Sequence, residues 1–171
     1  MTSAEKRRIQ YIRLVVDIKA DLNSIQNLVS DIEEITRALE GNKGLLRGAD
    51  LMACAGYLHH YFTGVESIFE RISRVFDGSQ ALGGDYHREL LHSMTVEIPD
   101  IRPRVISGDV AEELDEYRRF RHMFRHAYGS ELRWRKLEPL ANGVGSLTET
   151  LAEQISEFMH FVESLSDSMA N

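Results

Sequence analysis

The stretch YIRLVVDIKADLNSIQNLVSDIEEITRAL, residues 11–39, decides the fold. Tyr11, Val15, Ile18, Leu22, Ile25, Val29, Ile32, Thr36 and Leu39 advance in alternating steps of four and three, which draws one apolar stripe along an α-helix. The pattern predicts a helix from Ala4 to Leu39, closed by Gly41 and Gly44. At 1.5 Å per residue such a helix is about 50 Å long, more than a compact monomer of this size requires.

The same periodicity recurs downstream. Leu58, Phe62, Val65, Phe69, Ile72 and Phe76 mark a helix over Ala49–Phe76, and a short one follows over Tyr86–Met94. Asp109, with Glu112 three residues on, has the form of a capping box, so a fourth helix is expected to start there, reach Tyr128 and stop at Gly129. Pro139 suits the first turn of a fifth helix, whose Leu140, Val144, Leu147, Leu151, Ile155, Phe158, Val162, Leu165 and Met169 repeat the four-three step. Strand alternation, internal repeats and linkers are lacking. The expectation is one all-α domain over residues 1–171, an up-and-down bundle of about five helices.

Composition narrows the function classes. The chain has 171 residues, 43% of them hydrophobic and 27% charged, as in ordinary globular proteins. No apolar run reaches the roughly 20 residues that span a bilayer, and no secretory leader is evident, so a cytoplasmic protein with no membrane partner is expected. Cys54 is the single cysteine; between Ala53 and Ala55 it reads as a small core residue in a reducing compartment.

The net charge is −7, yet seven of the 20 Lys and Arg residues and two of the seven His lie between Arg118 and Lys136, with Glu131 the one acid among them. In this segment Arg118 and Arg119 have Asp115 three and four residues back, and so read as surface pairs. Arg121, His122, Arg125 and His126 have no acid at either spacing. Such crowding is costly unless an anion visits or an acid such as Glu66 or Glu113 arrives from another helix. For Glu66 the favoured reading is pairing with an arginine.

Arg121-x4-His126-x-Tyr128, preceded by Arg102-Pro103-Arg104-Val105-Ile106-Ser107 and by Tyr61-Phe62-Thr63-Gly64-Val65-Glu66-Ser67-Ile68-Phe69-Glu70, resembles the HEPN superfamily of ribonucleases in its HepT-like toxin branch. The resemblance covers roughly residues 47–137. It implies a metal-independent endoribonuclease without a cofactor, acting on tRNA or mRNA rather than DNA, with its site at the interface of a two-fold homodimer. It also implies a nucleotidyltransferase antitoxin that transfers AMP to Tyr128.

The chemistry suits these residue types. Cleavage through the 2′-hydroxyl needs a group that moves protons near neutral pH, a role for His126, and a fixed cation on the phosphate, a role for Arg121. His122 and Arg125 are expected to bind substrate. At 100° per residue, Arg121 and His126 diverge by about 140° on one helix, so either the helix distorts or a second copy completes the site. On this reading Arg121→Ala and His126→Ala abolish cleavage without unfolding the protein. Finding the two side chains in separate, carboxylate-neutralised surroundings would contradict it.

Other readings stay open. A non-catalytic module of the same family would dock a nucleotidyltransferase or bind nucleotide at the basic helix. Glu89/His92 and Glu157/His160 have the Glu-x-x-His spacing of a di-iron bundle, but Glu157 and His160 fall off the apolar seam, and no metal is expected. His59-His60 lacks a ligand spacing. A purely structural bundle leaves the uncompensated basic helix without a purpose.

Overall fold

Every position of the four-three stripe in the first helix is buried, together with Leu14. The computed structural model describes residues 1–41, 47–78, 85–126 and 132–170. Five helices follow one another: α1 (Ser3–Gly41), α2 (Gly48–Phe76), α3 (Tyr86–Ser93), α4 (Gly108–His126) and α5 (Trp134–Ser168). The chain is an all-α bundle, as the periodicity predicts. No helix among the described residues is long and apolar enough to cross a membrane.

At 39 residues, α1 extends about 58 Å. It starts on a capping box absent from the sequence reading: Glu5 N–H donates to Thr2 Oγ1 at 3.1 Å, while Thr2 N–H donates back to Glu5 Oε2. The helix packs chiefly on α2 and α5, and α2 also carries α3 and α4. Gly64 permits close approach, since a Cβ there would lie 3.0 Å from Ile25 Cγ1 of α1. Arg71 of α2 reaches across to Asp17 and Asp21 of α1 at 3.0 and 2.7 Å. Cys54 is fully buried, and burial raises its thiol pKa to about 11, as suits a core residue.

Two helix starts differ from expectation. Ser107, not Asp109, caps α4: the Val110 N–H donates to Ser107 Oγ at 3.3 Å. Gln154 of α5 holds the cap in place, accepting from the Ser107 N–H at 2.8 Å and donating to Ser107 Oγ at 3.2 Å. A residue from another helix thus supplies what Glu112 was expected to supply, and Asp109 sits in the first turn, where its charge still favours the helix dipole. The fifth helix begins at Trp134, placing Pro139 inside it rather than in its first turn. Proline leaves the Arg135 carbonyl without its regular donor, a cost offset by burial of Leu137 and Ala141 on the inner face.

The connection over residues 94–107 is irregular but anchored. The Arg102 side chain is fully buried, and its guanidinium meets Asp77, the C-cap of α2, at 2.8 and 3.1 Å. It also donates to the carbonyls of Ser93, Val96 and Pro103. That node fixes where α3 lies against α2 and α4.

Candidate functional site

Three helices bring their polar groups to one place. Arg121 of α4 is buried, 6% exposed, and donates to Glu66 of α2 at 2.6 Å (Nη1 to Oε2) and 3.2 Å (Nη2 to Oε1). Its guanidinium also sits 4.9 Å from the centre of the Phe62 ring. His87 of α3 completes the group: its Nδ1 contacts Glu66 Oε1 and lies 3.0 Å from Arg121 Nη2. Arg121 offers only donors and the Glu66 carboxylate only accepts, so the Glu66 contact calls for a proton on His87 Nδ1; in the neutral ring the lone pair is then on Nε2.

Above this triad opens a cleft of about 230 Å³, lined by Asp85, His87, Arg88, Arg118, Arg121, His122 and Arg125. Local charge pairing divides these cations into two kinds. Arg121 is matched by Glu66, and Arg118 by Asp115 at 2.6 Å. Arg88 and Arg125 have no ion-pair partner among the described residues, so theirs is the charge left for an anion. The cleft suits a phosphate-bearing ligand.

Asp115 accepts from Arg118 and Arg119 at 2.6 and 2.7 Å, as expected. Burial favours its neutral form, but the hydrogen bonds and charges of the two arginines outweigh burial and hold the carboxyl below its ordinary pKa. Arg118 is not the surface residue the sequence implies: its side chain is 22% exposed and lines the cleft. On α2, His59 packs against Phe124 with ring centres 5.7 Å apart, and its Nδ1 is buried without a hydrogen-bond partner. Burial first, then the charges of His60, Arg121 and Arg125, lower its pKa.

The structure brings together Arg121, His122 and Arg125, and sets His126 apart. The His126 ring is exposed in the last turn of α4, 4.7 Å from the His122 ring, and is not among the described residues lining the cleft. The helix runs unbroken through His126, so the distortion offered as one route to convergence is not present. Of the two surroundings, only that of Arg121 is carboxylate-neutralised among the described residues. Tyr128 and Gly129 lie outside the described residues.

Sequence reasoning missed His87 and Arg88. Both stand on a short helix with no local feature of note, and they reach the site through the packing of α3 on α2 and α4. The Glu-x-x-His pairs carry no such convergence: Glu89, His92, Glu157 and His160 are all exposed.

A family model described as HepT-like protein matches residues 53–162, nearly two thirds of the chain. The match takes in Glu66, His87, Arg121 and His126, and runs into α5, beyond the 47–137 span of the sequence resemblance. No curated protein and no solved structure matches.

Proposed function

The chain belongs to the HepT-like family, a HEPN-type toxin module, and on that footing we propose that it is a metal-independent endoribonuclease. The observation that carries this reading is the cationic cleft, in which Arg88 and Arg125 keep free charge beside an Arg121 locked in orientation by Glu66. An anchored guanidinium is preorganised for charge that develops on a phosphorane, since it needs no reorientation as the reaction proceeds. His122 and Arg125 bind the RNA backbone and His126 moves a proton. The products are a 2′,3′-cyclic phosphate and a 5′-hydroxyl.

Two protomers are needed for His126 to meet the cleft. Support comes from its exposed position, and from an apolar groove beside it between α4 and α5, about 600 Å³, lined in part by Phe120, Met123, Pro139 and Leu140. Met123 is exposed there, an apolar side chain suited to a second copy. A nucleotidyltransferase antitoxin adds AMP to Tyr128. The added phosphate then competes with RNA for Arg125.

The test is incubation of purified protein with total RNA, with and without ATP and a nucleotidyltransferase of the antitoxin type. Cleavage leaving cyclic phosphate ends, suppressed when Tyr128 carries AMP, is the expected result. Intact RNA under all conditions would overturn the ribonuclease reading.

A second reading, a nucleotide- or nucleic-acid-binding module without turnover, has one observation in its favour. Arg121 is already satisfied by Glu66, as in a purely structural ion pair. His126→Ala separates the two: an enzyme loses cleavage, whereas a binding module keeps its affinity for RNA.

A further inference from the structure

Cleavage through the 2′-hydroxyl requires two proton transfers, one from the attacking oxygen and one to the departing 5′-oxygen. His126 supplies one group. Resting on the ribonuclease reading, we propose that His87 is the second: the general base that takes the 2′-hydroxyl proton.

The geometry singles out His87 among the histidines. It lines the same cleft as Arg121 and Arg125, with its side chain 41% exposed, so solvent and substrate reach the ring. Its Nδ1 is committed to Glu66, which fixes the ring's orientation and tautomer and leaves Nε2 as the open acceptor. A base must enter the reaction with its lone pair on the atom that faces substrate, and the neutral ring in this tautomer carries it there. Glu66 thereby serves two groups, orienting the phosphate-binding guanidinium with both oxygens and the base with one. His122, the other ring in the cleft, has no carboxylate behind it among the described residues, and contacts only the His126 ring.

The step balances. The 2′-oxygen gives its proton to His87 Nε2 as the 2′-O–P bond forms, and the P–O5′ bond breaks as the 5′-oxygen takes a proton from the His126 imidazolium. One imidazole has gained the proton the other has lost, and exchange with water resets both.

The experiment uses an oligoribonucleotide that the wild-type protein cuts, together with the same strand carrying sulfur in place of the bridging 5′-oxygen. A thiolate departs without a proton, so it relieves the need for an acid but not for a base. His87→Ala should cut the normal strand at least about 10²-fold more slowly and stay slow on the sulfur strand. His126→Ala should recover on the sulfur strand. His87→Asn keeps an amide donor for Glu66 but offers no base, so it should be as slow as His87→Ala while its thermal unfolding midpoint matches wild type. Restoration by Asn would reduce His87 to a positioning residue, and recovery of His87→Ala on sulfur would make it the acid; either overturns the proposal. Wild-type rates in His87→Ala would sink this assignment and leave the ribonuclease reading standing. Absence of cutting by the wild-type protein would sink both.

Discussion

Arg121 holds both carboxylate oxygens of Glu66, at 2.6 and 3.2 Å, across the α2–α4 contact, with the arginine 6% exposed and the acid equally buried. Removing one member of a buried pair strands the other, at a cost of about 3–5 kcal/mol. Arg121→Ala should therefore lose cleavage and also lower stability by about 3 kcal/mol, near the low end because His87 still contacts Glu66. This revises the expectation from sequence that the substitution leaves folding untouched. Urea unfolding checks it; an unchanged midpoint would show that the pair contributes nothing.

Arg121→Lys tests geometry rather than charge. An ammonium holds one oxygen at a time and loses the planar fork, so cleavage should fall about 10²-fold or more even where the variant is well folded. Wild-type rates would mean that charge alone suffices.

His126 is the cleaner site probe. Its ring is exposed, and its one ring–ring contact among the described residues is with His122. His126→Ala should reduce cleavage about 10²- to 10⁴-fold with the unfolding free energy held within about 0.5 kcal/mol of wild type. A midpoint that falls along with the rate would point to a structural role instead.

Asp115 gives stability a pH dependence of known sign. Its folded-state pKa lies below the ordinary 3.8, so its contribution is present above that value and fades as pH falls through the folded-state value. The stability gap between wild type and Asp115→Asn should be full and level above the ordinary carboxyl pKa and close in acid. A gap that widens on acidification would reverse the assignment. Urea midpoints measured across that range decide it.

Arg102 carries the largest structural prediction. It is fully buried, and its five hydrogen bonds include both oxygens of Asp77. Arg102→Ala should cost about 3–5 kcal/mol, and Asp77→Ala a similar amount. The double variant should fall well short of the sum, because the two residues share one interaction. Additive losses in urea unfolding would contradict it.

The helices were legible because burial has a period. Each predicted position from Tyr11 to Leu39 is inward, and Leu58 to Ile72 likewise, since a long amphipathic helix repeats its message many times. The ends were less legible because they depend on partners far along the chain. Ser107 caps α4 with help from Gln154, 47 residues on, and no local pattern announces that. The same limit divides the site. Arg121, His122 and Arg125 stood out through missing local acids, and Glu66 as a tertiary partner was anticipated. His87 and Arg88, which sit 34 and 33 residues before Arg121, have no signal except the fold itself.

The Arg102 node has a bearing on motion. Because one guanidinium ties the end of α2, the end of α3 and the backbone at Val96 and Pro103, the connection after α3 is pinned at both ends. The bonded amides of Ile98 and Arg102 there should exchange in step with global opening rather than by fraying. The short helix bearing His87 is thus anchored at its C-terminal end by a residue that lines no part of the cleft.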